Sequence, residues 1–234
     1  MKRLTLLIVL SLSILIPETV QAQSKKFYKR ETALIYYDFA IDGALMQRFE
    51  AYANLFRPCK EAKRNPIKNQ LLYTSWDMIR EAMEEQTGML IVPIDAYGNR
   101  FTYDDYGFPN MGINKALKKG SSKYYLRFDI SLKPTPTPVY TTSTKPDSLA
   151  MALTAEQILP ILTIDVTIYP DKGVLPTSKS TITVKAQQPF EVNEALFDGF
   201  VNDKDTVSAP PANIYGMFKE AIVQLGGSIF AGIR

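Results

Sequence analysis

The sequence contains no histidine and only one cysteine, Cys59, among its 234 residues. The lack of histidine excludes Ser-His-Asp and Cys-His catalysis and any imidazole-based pH switch. One cysteine without histidine leaves only carboxylates to bind zinc, which excludes most zinc sites. A single cysteine cannot form an intramolecular disulfide, so Cys59 is either a buried thiol or a link to a second chain. We therefore expect a protein that is not an enzyme and that has no catalytic residues, no metal and no cofactor.

The sequence also has little excess charge. Its 27 basic and 24 acidic residues give a net charge of +3. Removing residues 1–22 takes away two basic residues and one acidic residue, which leaves +2. This value is too small to indicate nucleic-acid binding, and the basic residues form no long stripe. The densest basic segment, residues 60–68, is interrupted by an acid, an asparagine and a proline, as is typical of a solvated loop.

Residues 1–22 have the organisation of a cleavable secretory signal. Lys2 and Arg3 precede an uncharged apolar run from Leu4 to Ile16, and Val20-Gln21-Ala22 supplies small side chains where a signal peptidase cuts. The run is shorter than the roughly 20 residues that a membrane-spanning helix needs. We therefore predict a mature chain that begins at Gln23 and has no transmembrane anchor.

No cysteine follows the apolar run to carry a lipid, because Cys59 lies far downstream. The expected location is therefore periplasmic or extracellular, without a lipid anchor. Residues 23–31 are polar and basic and are predicted to be a flexible lead-in to the folded part of the chain.

Residues 32–234 are predicted to form a single α+β domain. The expected fold is a single mixed, mostly antiparallel sheet with helices packed on one face, because helices separate the early strands while the late strands form a hairpin. Hydrophobic periodicity and turn residues place the elements along the chain. Strands are predicted at 32–41, 89–94, 123–132, 158–169 and 178–187, and helices at 43–56, 74–87, 110–119 and 213–225, with a possible helical turn at 192–198.

Three features refine this prediction. Residues 133–155 are rich in proline and threonine and are expected to form a long excursion rather than a domain boundary. Thr74 and Asp77 have the spacing of a helix-capping box. Trp76, the only tryptophan, lies on the apolar stripe of that helix and is expected to be buried. Gly226 and Gly227 are expected to end the last helix.

The succession of elements resembles the α/β domains of cell-envelope proteins of the curli-secretion, TolB amino-terminal and penicillin-binding-protein-activator type. The phrase Ser122-Lys123-Tyr124-Tyr125-Leu126, which opens a strand after a short helix, is similar to phrases at this place in such domains. The segment Gln21-Ala22-Gln23 at the signal end also resembles secreted proteins of the Bacteroidota. The resemblance covers roughly residues 32–95 and 110–230 and implies a non-enzymatic domain that scaffolds or docks on envelope machinery. It departs from these domains in the missing lipid-bearing cysteine and in the excursion.

An aromatic loop is the strongest candidate for a binding site. Five aromatic residues fall within residues 95–109, interleaved with charged residues, and such rings give a large contact area at low entropic cost. They are expected either to grip a protein partner or stack on a sugar, or to fold back over the end of the sheet. The candidate residues are Tyr97, Phe101, Tyr103, Tyr106 and Phe108.

Other groupings give weaker indications. Asp95, Asn99, Asp104 and Asp105 could supply oxygen ligands to calcium, although their spacing lacks the pattern of a known calcium loop. Asp129 and Asp165 lie on predicted strands and are one candidate pair for glycoside hydrolysis, which needs two carboxylates. The glycines do not have the spacing of a phosphate-binding loop.

The function that we expect from the sequence is that of an exported, non-enzymatic domain that binds or scaffolds another cell-envelope component, with an envelope protein as its partner. The alternatives are a carbohydrate-binding module that uses the aromatic loop and a hydrolase that uses carboxylates alone.

Overall fold

The structure is a computed structural model that describes residues 26–61, 63–135, 157–202 and 211–231. The predicted signal at 1–22, the predicted mature start at Gln23 and most of the excursion at 133–155 lie outside the described residues.

The described residues form a five-stranded sheet, a two-stranded sheet, four α-helices and short 3₁₀ segments. The strands are β1 (Glu31–Ile41), β2 (Leu90–Ile91), β3 (Tyr124–Pro134), β4 (Gln157–Ile158), β5 (Pro160–Pro170), β6 (Ser178–Lys185) and β7 (Phe190–Glu191). The helices are α1 (Gly43–Phe49), α2 (Pro66–Thr87), α3 (Ile113–Lys119) and α4 (Ile214–Ala231), with 3₁₀ segments at Glu50–Leu55, Gly98–Arg100 and Glu194–Phe197.

The main sheet has the strand order β2-β1-β3-β5-β6. β1 runs parallel to β2 and β3, whereas β3, β5 and β6 are antiparallel to their neighbours. The predicted α+β class with a mixed sheet is therefore confirmed, and so is the predicted hairpin of β5 and β6. The small sheet pairs β4 with β7.

One face of the sheet packs against α1, α2 and α4. Alternate side chains of a strand point to the same face, and Tyr37, Phe39 and Phe128 are among those that enter the core on this side. Phe39 meets Phe218 of α4 edge to face at 5.4 Å. Burial of this many aromatic and aliphatic side chains is the main source of stability for the fold.

The other face is covered at one end by parts of the segment 92–112 and by α3. Ala33, Ile35 and Tyr125 form a second apolar cluster there with loop residues and with Ala116 of α3. The structure thus differs from the prediction in one respect, since α3 lies on the face opposite to the other three helices. The remainder of this face carries polar side chains that are partly or fully exposed, such as those of Asp129 and Thr183.

Helix α2 begins earlier than predicted. Its N-cap is Asn65, whose side chain accepts a hydrogen bond from Lys68 N at 3.1 Å, and Pro66 occupies the first turn. Asparagine followed by proline is a strong helix start. The asparagine side chain accepts a hydrogen bond from a first-turn N–H, and proline lacks an N–H at a position where that group has no partner within the helix. The prediction that Thr74 caps this helix was therefore wrong, whereas the predicted end at Gly88 is confirmed.

Helix α4 continues past the two glycines that were predicted to end it. The helix runs to Ala231, and Gly226 faces Gln86 of α2 so closely that a Cβ atom at this position would overlap the Gln86 amide. The terminal turns are held to β6, because Ser178 and Ser180 donate hydrogen bonds to carbonyl groups of α4. Gly226 thus permits a close contact between α4 and α2, and neither glycine ends the helix.

The predicted flexible lead-in is ordered over residues 26–31, contrary to the prediction for that part. The side chain of Phe27 is fully buried and meets Tyr124 edge to face at 4.9 Å. Lys29 N donates to the carbonyl of Gly88 at 2.7 Å. Burial of Phe27 and this backbone hydrogen bond together hold the segment against the sheet.

Shorter differences concern the remaining elements. The strand predicted at 89–94 pairs only over Leu90–Ile91, and Pro93 lies beyond the pairing, where its missing N–H costs no ladder bond. The helix predicted at 43–56 changes from α to 3₁₀ geometry after Phe49.

Trp76 is buried, as predicted, with 4% of its surface exposed. Its indole ring packs edge to face against Tyr37 at 5.4 Å and lies 6.3 Å from Phe128. We expect the native protein to show a blue-shifted fluorescence maximum that moves to the red on unfolding in urea. An emission maximum in native buffer equal to that of the unfolded chain would contradict this placement.

Candidate functional site

Three of the five aromatic candidates are part of the core. Tyr97, Phe101 and Phe108 are 7%, 4% and 0% exposed, whereas Tyr103 and Tyr106 are half-buried. The loop therefore does not present an open row of rings, and the interpretation in which it folds over the end of the sheet describes these three residues.

The loop is divided between the two faces of the sheet. Tyr97 and Phe101 stack at 4.4 Å on the α3 side, and the Tyr97 hydroxyl lies 2.8 Å from Ser122 Oγ. Phe108 lies on the opposite side and stacks on Tyr37 at 5.0 Å. Sequence reasoning could not separate these rings, because a loop without regular periodicity gives no sign of which face each side chain meets.

A tight turn at residues 104–108 presents Tyr106. The Asp104 carboxylate accepts hydrogen bonds from the backbone N–H groups of Tyr106 and Phe108, both at 2.9 Å. Burial raises the pKa of Asp104, while these N–H donors and nearby Lys68 lower it. Asp104 thus stabilises the turn.

Among the described residues, no three or more acidic or cysteine side chains are grouped so that they could hold a metal ion.

Tyr106 is held on several sides. Its hydroxyl accepts a hydrogen bond from Asn65 N at 3.2 Å, and its carbonyl accepts one from the Tyr73 hydroxyl at 2.8 Å. The ammonium group of Lys68 lies 5.5 Å from the centre of its ring. The turn is therefore fixed to the start of α2.

A cleft of about 670 Å³ lies between α2 and the segment that follows β2. Its lining combines apolar side chains with the charged side chains of Asp77, Arg80 and Asp95. The lining residues are Tyr73, Trp76, Asp77, Arg80, Ile91, Val92, Pro93, Ile94, Asp95, Gly98, Tyr103 and Gly107. We call this the Tyr103 cleft.

The hydroxyl of Tyr103 is buried and has no hydrogen-bond partner among the described residues. Burial raises the pKa of Tyr103, and the nearby charge of Asp95 raises it further, so the hydroxyl is protonated at neutral pH. A buried hydroxyl without a partner costs free energy. At the rim, Arg80 lies 3.7 Å from Asp77, and Asp95 is exposed.

A smaller cleft of about 250 Å³ lies on the other side of the turn. It is lined by Tyr36, Lys68 and Asn110, among others. The guanidinium of Arg127 lies 4.0 Å from the centre of the Tyr36 ring, and Lys68 forms an ion pair with Asp38 at 3.0 Å. Cations therefore already occupy faces of both half-exposed rings that border this cleft, Tyr36 and Tyr106.

The structure brings together the two carboxylates that were considered for hydrolysis. Asp129 and Asp165 are direct partners across β3 and β5, and Asp38 is the partner of Asp129 on β1. Arg127 binds both oxygens of Asp129, at 2.7 and 2.9 Å, and Asp165 accepts a hydrogen bond from the Thr181 hydroxyl. These carboxylates are thus engaged with neighbouring side chains on an open sheet face.

The sequence pointed to Tyr103 and Trp76 separately but not to the cleft that contains both. The cleft joins residues 73–80 to residues 91–107 through the packing of α2 beside β2. No motif links these segments, so only the tertiary structure could reveal the site.

None of the helices in the described part of the chain has both the length and the apolar character needed to span a membrane.

Comparison with known proteins gives only low similarity to solved structures. No family profile and no curated protein matches the chain. Among solved structures, the hypothetical protein CT253 from Chlamydia trachomatis has a TM-score of 0.42 at 11% identity, covering 87% of this chain and 99% of that one. Protein XCC0632 from Xanthomonas campestris, of family DUF330, has a TM-score of 0.31 at 10% identity, covering 87% and 82% of the two chains.

Proposed function

We propose that this chain is an exported, non-enzymatic domain that binds another component of the cell envelope, and that it does so in the Tyr103 cleft. The observation that carries the proposal is that Tyr103 lines a cleft of about 670 Å³ and has a buried hydroxyl without a hydrogen-bond partner among the described residues. Export rests on the secretory pattern of residues 1–22, and the resemblance in element order to envelope α/β domains supports the class of partner.

The chemistry of the cleft indicates what it binds. Ile91, Val92 and Ile94 supply apolar walls, and Arg80 and Asp95 supply charges at the rim. A protein segment with an apolar side chain inside and a polar group opposite Tyr103 matches this arrangement. The cleft favours a protein over a glycan, because stacking on a sugar needs exposed ring faces and the described aromatic loop offers few of them.

Two tyrosines that line the same cleft provide a matched test of the hydroxyl. Tyr103→Phe removes an oxygen without a partner and should leave the free energy of unfolding unchanged or slightly higher. Tyr73→Phe removes a hydrogen bond to the Tyr106 carbonyl and should lower it by about 1 kcal/mol. Urea unfolding of both variants measures the difference. An equal loss in both would mean that the Tyr103 hydroxyl has a structural partner after all.

Binding is tested in cells with a photo-crosslinking amino acid at Asp95, on the rim of the cleft, and at Thr183, on the open sheet face, as the control. Discrete crosslinked species in the envelope fraction are expected from position 95 only, and Tyr103→Phe should weaken them. Crosslinking that is equal at both positions, or that is unaffected by Tyr103→Phe, would overturn the proposal. Binding of the purified protein to a glycan array would instead support the carbohydrate-binding alternative.

A further inference from the structure

Another cleft, of about 310 Å³, lies at the end of the main sheet where β1 and β3 begin and β5 ends. It shares no residue with the Tyr103 cleft. Basic side chains predominate in its lining, which consists of Lys26, Arg30, Lys123, Tyr124, Pro170, Asp171 and Lys172. We call this the basic cleft.

The charge in the basic cleft is largely uncompensated. Asp171 is the one acid in the lining, and Lys123 forms an ion pair with it at 3.0 Å. The charges of Lys26, Arg30 and Lys172 then have no counterpart among the lining residues. Grouped positive charges of this kind attract anions from solution and strengthen their binding at a surface.

Exposed apolar side chains flank the same cleft. Leu175 and Val174, in the turn between β5 and β6, are 80% and 46% exposed, and Tyr28, between Lys26 and Arg30, is 56% exposed. Single exposed apolar side chains are common at protein surfaces, but adjacent ones rimmed by polar residues can mark a contact with a partner or a membrane. These apolar side chains, which we call the apolar tip, therefore lie beside the positively charged side chains of the cleft.

Both flanking segments are fixed in place. The turn between β5 and β6 is held by Asp171 N, which donates to the Lys123 carbonyl at 2.9 Å, and by Thr177 N, which donates to the Ile168 carbonyl at 2.8 Å. The fully buried side chain of Phe27 anchors Tyr28. The apolar tip is thus presented by ordered backbone beside the basic cleft.

We propose that this end of the molecule binds the surface of a membrane that contains anionic lipids. Lipid phosphates would lie against Lys26, Arg30 and Lys172, while Val174 and Leu175 would enter the boundary between headgroups and acyl chains. A soluble anion would need the cations alone, whereas a membrane surface also accounts for the exposed leucine and valine. This inference goes beyond the proposed function and does not depend on the Tyr103 cleft.

The test is a vesicle-binding titration with the protein as recovered from its host. Vesicles of phosphatidylcholine with an equal part of phosphatidylglycerol should bind, and vesicles of phosphatidylcholine alone should bind much more weakly. The double variant Arg30→Gln with Lys172→Gln should bind the anionic vesicles about 25-fold more weakly, since each cation near such a surface contributes about five-fold. Leu175→Asn should also weaken binding.

The matched control is Lys133→Gln with Lys185→Gln. Both lysines are exposed and pair with Ile161 of β5, at the opposite end of the sheet. Each double variant removes two positive charges, so the net charge changes equally. This control should retain parental affinity, and thermal melting should show that all variants fold. Equal losses in the two double variants, equal binding to neutral vesicles, or binding to soluble heparin without binding to vesicles would overturn the proposal.

Discussion

Replacing Phe108 with alanine will lower the free energy of unfolding by about 3–5 kcal/mol. The side chain is fully buried, stacks on Tyr37 at 5.0 Å and lies 4.9 Å from the Tyr73 ring. Its removal leaves a cavity between the sheet and α2 that rigid aromatic neighbours cannot fill. Urea unfolding, followed by Trp76 fluorescence, measures the loss.

Asp105 provides the control within the same turn. Its side chain is exposed, so Asp105→Ala should change stability by no more than about 0.5 kcal/mol. Similar small effects at both positions would mean that Phe108 is not a core residue and would restore the picture of an open aromatic loop. A large effect at Phe108 alone supports the division of the loop into core rings and the half-buried pair Tyr103 and Tyr106.

The elements that sequence analysis predicted well are those with a local physical cause. The alternation in β3 places Leu126, Phe128 and Ile130 in the core and leaves Arg127 and Asp129 partly exposed. The β5–β6 hairpin follows from two strands joined at the turn sequence Pro170-Asp171-Lys172-Gly173. Local patterns of this kind determine which residues one face of an element buries, whatever packs against it.

The predictions that failed required knowledge of distant contacts. Gly226 and Gly227 were expected to stop a helix, but the approach of Gln86 from α2 gives Gly226 a packing role inside α4. Phe27 was assigned to a flexible lead-in because its neighbours are charged, yet its ring packs against the ring of Tyr124. In both cases a residue far along the chain decides the outcome, and no local pattern reports it.

The same reasoning applies to the candidate sites. Tyr103 was among the predicted binding residues, but only the structure shows that its hydroxyl is buried without a partner in the described part of the chain. In the basic cleft, Lys26 and Arg30 come from the segment before β1, and Lys172 comes from the turn after β5. None of them belongs to the densest basic segment of the sequence, residues 60–68. The register of β1, β3 and β5 brings these cations together.

Gly199→Ala is expected to cost about 2–5 kcal/mol, from two separable causes. Gly199 has a φ angle of 84°, a conformation that costs a residue with a side chain roughly 1–2 kcal/mol. A Cβ atom at Gly199 would also overlap the ring of Tyr215 at the start of α4, where Phe200 packs edge to face at 5.4 Å. Relief of this overlap must shift an aromatic ring in a packed region, which typically costs a further 1–3 kcal/mol or so.

Gly173→Ala separates these two causes. Gly173 also has a positive φ, of 102°, but no heavy atom lies within 4 Å of the position that its Cβ would take. It should therefore show the backbone cost alone, about 1–2 kcal/mol, reduced slightly by the lower entropy of the unfolded alanine chain. Urea unfolding of the two variants gives the difference as the steric cost of Tyr215. A Gly199→Ala variant no less stable than Gly173→Ala would mean that the Tyr215 ring does not hold α4 against the segment at Gly199, and the packing described for the start of α4 would have to be revised.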